Sequence, residues 1–387
     1  MTQIIKNELI KMYYRKKVLG CCIVLIIIVI LTMISFNSQR GEAGIARSKR
    51  YIKSLKIQEA SSKSIDEKNK IKTEINSIEK SMQQYSELQN NSTHWKTDLV
   101  KITKQLQNQN INNLSDIEKE QINETIARNE YLIKNSIKPM NGFSKTQLVF
   151  FSDYSNILNI LIFIIVVFMI SDSVSDEYSS KTIRFLLTRP ISKIQLILGK
   201  FFTGILSITV IVTIFDIIVY LASGIAFGFS SLKFPIIIGP KFVSSNMLNS
   251  TLHKFISLIP NSSTIIPFYS FLLQHWILQI LFIIVSASFC IFISSLLRNN
   301  IASMIIPIIV YFLNVFIIFE FSSFNNIAPI LSGFFMNLYN FPSIINRDFI
   351  KNTGAVYINT ISSIIIMILW SILFIILSML STLKKDD

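Results

Sequence analysis

Few side chains in this 387-residue chain stand where they could do chemistry. The pair Gly199-Lys200 has the ending of a phosphate-binding loop, yet Phe201 follows it and no glycine stands five positions before Gly199. The backbone cradle that holds phosphates is therefore missing. His94, His253 and His275 are scattered, with no HExxH pair and no neighbouring Cys or carboxylate set, which argues against metal or hydrolytic chemistry. Asp216 is the one acid well inside a long apolar run. An ionisable group at membrane depth marks a possible polar pathway, with access to outer water as the plainer reading. A short charged bridge between two apolar runs is "SDEYSSKTIRFLLTRPISKIQLILGK", residues 175–200.

The elements that must position these residues follow from composition. With 51% apolar residues and recurrent runs near 20 residues long, the chain reads as an all-α polytopic membrane protein. Six transmembrane helices are expected, at 18–36, 154–171, 201–222, 276–297, 301–321 and 357–380. The second has a short apolar core and must borrow Tyr154 to cross. The start resembles a secretory leader, but its apolar run is too long and its small-residue site too weak, so it is read as a retained span. Cys21, Cys22 and Cys290 fall in or at the margins of spans and read as packing residues. His275, beside Trp276, reads as a marker of the membrane interface.

Basic residues near span ends set the orientation. With the N-terminus inside, the inner pieces 1–17, 172–200, 298–300 and 381–387 carry five, five, one and two Lys or Arg. The longer outer connections 223–275 and 322–356 carry only three and two. Both termini are thus expected on the cytoplasmic side of a bacterial plasma membrane. Segment 37–150 holds nineteen of the basic residues but also thirteen acids, so the net charge does not point to nucleic acid. In segment 1–17, Ile4, Ile5, Leu9, Ile10 and Tyr13 recur at helical spacing opposite Lys6, Lys11, Arg15, Lys16 and Lys17. This predicts an amphipathic interface helix along the inner surface.

Between the first two spans, segment 37–150 turns polar and almost free of Gly and Pro. Apolar residues Ile71, Ile75, Ile78, Met82 and Tyr85, then Trp95, Leu99, Ile102 and Leu106, recur by threes and fours. Ser64 with Glu67 and Ser115 with Glu118 have capping-box spacing. The segment is therefore expected to be a helical, coiled-coil-like extracellular insert of about three helices. The outer loop 322–356 contains "IAPILSGFFMNLYNFPSII", which predicts short re-entrant or interfacial helices. Gln274, Gln279 and Asn314 are expected to bond between helices.

On this topology residues 172–200 form a cytoplasmic segment. Glu177, Lys181 and Arg184 recur at i, i+4 and i+7, predicting an ion-paired, solvated stripe opposite Ile183, Leu186 and Leu187. Pro190 breaks the helix at Arg189, after which the chain restarts toward the third span. A partner gripping such a helix could move both flanking spans. An acid, a small pair, Thr-x-Arg, "RPIS" and a lysine at the head of the next span stand here at Glu177, Ser179-Ser180, Thr182 and Arg184, Arg189-Pro190 and Lys200. This order resembles the loop after the second span in permease subunits of type 2 ATP-binding-cassette exporters. The six-span layout agrees, while Ser179-Ser180-Lys181 replaces a glycine common in that loop.

The resemblance implies a transport subunit without its own ATPase site, driven by a separate nucleotide-binding ATPase subunit that holds the ATP and magnesium. No cofactor is implied in this chain. Asp176, Glu177, Lys181, Thr182, Arg184, Leu187, Arg189 and Pro190 would form the coupling region, with the N-terminal helix beside it. A second permease copy or a paralogue would complete the pathway, whose cargo would be hydrophobic or amphipathic: a peptide antibiotic, drug or lipid-linked compound. The alternative is a membrane sensor or scaffold whose extracellular domain binds a ligand or envelope partner. A third and weaker alternative is an integral-membrane enzyme.

Overall fold

The computed structural model describes residues 2–61, 65–90, 95–109, 114–140, 143–180, 192–244, 256–321 and 328–384. Among the described residues, six helices are long and apolar enough to cross a membrane. They are α2 (Lys17–Gln39), α7 (Gln147–Ile170), α9 (Lys193–Phe227), α10 (Phe268–Leu296), α11 (Asn300–Phe321) and α15 (Thr360–Lys384). A chain in lipid must satisfy its backbone internally, and uninterrupted Ile- and Leu-rich sequence does so as helix. Several of these helices run past the apolar cores that locate them in the sequence. The second begins at Gln147, so it does not depend on the short apolar core alone. The third runs for 35 residues.

Contacts divide the chain into two units. One comprises residues 28–155 and 219–236. It holds α3 (Gly41–Ser61), α4 (Ile65–Asn90), α5 (Trp95–Gln107) and α6 (Asp116–Asn135). Ile52 and Leu55 of α3 pack on Ile71 and Ile75 of α4, and Leu99 of α5 on Leu132 and Ile137 in and after α6. Among the described residues the insert thus has four helices in two packed pairs, where about three were expected from the sequence. The missing one, α3, carries so many Lys, Arg and Ser residues that only Ile52 and Leu55 mark its buried side. Ser115 caps α6 as a full capping box, its hydroxyl accepting from Glu118 N while the Glu118 carboxylate accepts from Ser115 N. Ser64 and the side chain of Tyr85 lie outside the described residues. The corner from α2 into α3 is tight: Gly41 adopts φ 62° and its N–H donates to Phe143 O at 2.9 Å. Nearby, Arg40 pairs with Asp153 at 3.0 Å.

The other unit comprises residues 1–27, 156–218 and 237–387. At its centre α10 and α15 make the most extensive helix–helix contact. Between them Ser381 Oγ of α15 donates to Ser295 O of α10 at 3.2 Å, and Ser363, Ser371 and Ser378 of α15 are buried; small side chains let helix backbones approach where larger ones would hold them apart. Around them Phe289, Phe335, Trp370 and Phe374 form an aromatic cluster. Segment 328–353 folds as α12 (Ala328–Leu331), a 3-10 turn (Phe335–Tyr339), α13 (Phe341–Ile345) and α14 (Asp348–Thr353). The 3-10 turn and α13 bury Phe335, Met336, Phe341 and Ile344.

Two details depart from the sequence expectations. The described residues of segment 235–267 include four short strands: β1 (Pro235–Ile238), β2 (Phe242–Ser244), β3 (Ile256–Leu258) and β4 (Thr264–Pro267). β-branched residues fenced by prolines favour extended backbone, and β2 pairs antiparallel with β3, Val243 opposite Ser257. His275 is also not an interface marker. It is 2% exposed, within 3.2 Å of the Asn159 amide and edge-on to Phe341, because the helix carrying it starts at Phe268 and is covered by α13. Asn314 donates to Asn337 Oδ1 at 2.5 Å, one of the interhelical bonds expected from its type.

Candidate functional site

The charged residues of the inner bridge assemble with the N-terminal helix. Helix α1 (Thr2–Tyr14) places Glu8 and Lys11 one turn apart, paired at 3.1 Å. Lys16, at φ 55°, turns the chain into α2 and leaves Arg15 and Lys17 at the corner. Beyond α7, the short helix α8 (Ser175–Ser179) presents Asp176 and Glu177, with Asp172 one turn earlier. Lys200 enters from α9. One oxygen of Glu177, Oε1, receives both Lys200 Nζ at 2.7 Å and Lys11 Nζ at 3.0 Å. Lys200 also reaches Glu8 Oε2 at 3.3 Å and Ser173 O at 2.8 Å. Arg15 pairs with Asp176, and Lys17 with Asp172.

Four cations therefore meet four carboxylates, with no net charge left in the cluster. Its centre is buried, since the Lys200 and Glu177 side chains are 2% and 4% exposed. In such surroundings the pair is tolerated only with good geometry and further hydrogen bonds, which Ser173 and Lys11 supply. Polar groups hold α8 on its other side. Ser294 Oγ accepts from Val174 N and Ser175 N at 3.1 and 2.9 Å. Asn300 Nδ2 donates to Asp176 Oδ1 at 2.6 Å. Glycines allow the close approach of the helices: a Cβ at Gly199 would stand 2.5 Å from Ile4 Cγ2, and one at Gly204 2.5 Å from Ile170 Cδ1.

Burial alone would push the Glu8 carboxyl up, but Lys200 and Lys11 outweigh it and hold it below its ordinary value of 4.5. Burial likewise opposes the charge on Lys11, and Glu177 and Glu8 outweigh it to raise that ammonium above 10.5. A lowered acid contributes stability that is complete above its unfolded value and is lost as pH falls through the folded one; a raised base loses its contribution only as pH rises past its folded value. The cluster should thus be fully formed at neutral pH and weaken below about pH 4.5. Thermal unfolding of the detergent-purified chain should show a lower midpoint at pH 4 than at pH 7, and Glu8→Gln should shrink that difference.

Of the residues singled out in the sequence, the structure brings Asp176 and Glu177 together with Lys11, Arg15, Lys17 and Lys200. It corrects one expectation about them. Glu177 is not part of a solvated stripe: it is 3% exposed and its partners come from α1 and α9, because α8 is tucked between those elements and Ser294. Lys181, Thr182, Arg184, Leu187, Arg189 and Pro190 lie outside the described residues. Asp216 is buried in α9, at 2% exposure, far along the helix from this cluster. Sequence reasoning passed over Glu8, Asp172, Asn300 and Ser294. The first two carried a signal: Glu8 precedes Lys11 by three, and Asp172 precedes Asp176 by four.

In comparisons with known proteins, no curated protein matches the sequence. A family model described as ABC-2 family transporter protein matches residues 2–387. That match covers nearly the whole chain, including the N-terminal helix, the insert and all six apolar helices. This multi-pass membrane protein belongs to the ABC-2 transporter family, as a permease.

Proposed function

We propose that the chain is the permease subunit of an exporter, and that work done by a separate ATP-binding subunit enters it through residues 181–191 and the ion-paired junction beside them. The observation that carries this reading is the junction itself. The residues immediately before 181–191 are tied by charge to α1, α2 and α9 and by hydrogen bonds to α10 and α11. A push on that segment is thereby shared by several spans. ATP and magnesium belong to the partner in this reading. Lys181, Thr182, Arg184, Leu187, Arg189 and Pro190 form the docking surface, while Asp176 and Glu177 act inside the chain.

In this reading both termini, α1 and the junction lie on the cytoplasmic side of a bacterial plasma membrane, an orientation that the bias of Lys and Arg supports. The insert, as a coiled-coil-like helical domain, then faces outward. A second copy or a paralogue completes a pathway for a hydrophobic or amphipathic compound, with Asp216 as its polar point. Co-expression with a candidate nucleotide-binding ATPase subunit tests the docking surface. Arg184→Glu combined with Leu187→Ala should abolish co-purification of the ATPase while leaving the amount of permease in the membrane unchanged. Undiminished co-purification would remove 181–191 as the docking surface. Failure of any ATPase to co-purify with the unaltered chain would favour a sensor or scaffold.

A further inference from the structure

A second cluster of charge lies beside the first residues of α15, and no family reading accounts for it. Between β2, the turn 344–350 and the first residues of α15 is a cavity of about 430 Å³, within the roughly 300–1,000 Å³ typical of ligand sites. Most of its wall is apolar, including Ile345, Ile350, Val356 and Ile361, and two cations, Lys241 and Arg347, stand in its lining. Among the described residues neither cation pairs with a carboxylate. The segment 245–255, which lies outside them, contains no Asp or Glu. The third cation nearby is already neutralised, Lys351 pairing with Asp348 at 2.7 Å.

Arg347 is held in place by its surroundings. Its backbone is in the left-handed region at φ 65°, and its Nη1 donates to Gly239 O at 2.7 Å, while Gly239 N donates to Asn346 O at 3.1 Å. One carbonyl bond leaves most of the five guanidinium donors for another acceptor. Burial pushes this guanidinium down from its ordinary value, the effect an incoming anion would reverse. Lys241 is exposed, with its backbone N–H fixed by Ser262 Oγ at 2.7 Å. Beside these cations Ile361, 71% exposed, begins the last apolar helix, so the cavity opens where lipid meets water.

We propose that this cavity is a binding site for an amphiphile with a net-anionic phosphate head group, the anion held by Arg347 and Lys241 and the upper acyl chain lying against Ile345, Ile350, Val356 and Ile361. An apolar pocket alone would accept any chain, and two surface cations alone would accept any anion. Their juxtaposition selects molecules with both parts. The inference rests on the membrane reading and not on the ATPase coupling, and its test needs no partner subunit, so the two fail independently.

The full-length chain, purified in detergent, would be offered phosphatidylglycerol and phosphatidylcholine at equal concentration, and the retained lipid measured by native mass spectrometry. Phosphatidylglycerol should be retained in preference. Lys241→Gln, which removes no structural contact, and Arg347→Gln should each cut that preference by about tenfold, as expected for loss of one charged hydrogen bond. Arg347→Lys should preserve part of it, separating loss of charge from loss of fold. Equal retention of the two lipids, or a preference unchanged in Lys241→Gln and Arg347→Gln together, would overturn the proposal. Displacement of phosphatidylglycerol by glycerol 3-phosphate at equal concentration would also overturn it, since a free anion would then suffice.

Discussion

Lys200→Met is expected to lower the stability of the chain by about 3 kcal/mol, the low end of the range for breaking a buried ion pair by removing one partner. The loss is large because Glu177 stays behind with a side chain only 4% exposed. It falls at the low end because Lys11 keeps its contact with the same oxygen at 3.0 Å. Glu177→Gln should cost a similar amount, since Lys200 would then be left with Glu8 at 3.3 Å as its one acid. Replacing both, Lys200→Met with Glu177→Gln, should be milder than the sum of the two, because no orphaned charge remains at the centre. Thermal midpoints of the detergent-purified variants give the three values needed. Additive losses, or an unchanged midpoint for Lys200→Met, would mean that the junction is solvated and does not tie α1 to α9.

The second large effect is expected at a corner rather than at a charge. A Cβ on Gly44 would stand 2.2 Å from the carbonyl oxygen of Gln39 and 2.7 Å from its carbon. Those are backbone atoms at the end of α2, and they cannot swing aside as a side-chain tip can. Gly44→Ala should therefore force the turn between α2 and α3 to open, at a cost of about 1–3 kcal/mol or more. Limited trypsin digestion should then cut faster at Arg47, Lys49 and Arg50 on α3. Gly20→Ala is the matching control: its Cβ would meet the edge of the Phe168 ring at 2.9 Å, and a ring can turn. Equal digestion of the two variants would show that the corner is not constrained.

These two sites show what the sequence made legible and what it hid. The apolar runs located the membrane-crossing helices because lipid leaves a run of that length few other structures. Their true ends were hidden, since polar residues such as Gln147 continue a helix when its interior has a partner for them. The Gln147 amide donates to Tyr220 O at 2.9 Å and its carbonyl accepts from Ser230 N at 3.2 Å, neither of which periodicity can reveal. At the junction, the acids of α8 and the lysine at the head of α9 stood out by type and order. The partner helix did not, because Lys11 and Glu177 are 166 residues apart and charge alone cannot name the pair. The strands β1 to β4 were missed for a related reason: runs of three or four residues are too short for a period to show.

The contact between α10 and α15 has a consequence for temperature. Lipid tails are as apolar as the helices, so that pair is held by close packing and hydrogen bonds, such as Ser381 Oγ to Ser295 O at 3.2 Å. The helix pairs of the insert rest instead on small apolar seams, Ile52 and Leu55 on Ile71 and Ile75, whose cohesion comes from water. That driving force fades on cooling, whereas packing in lipid does not depend on it. The insert and the α10–α15 pair of this permease are therefore built to respond differently to cold, the insert loosening while the pair holds.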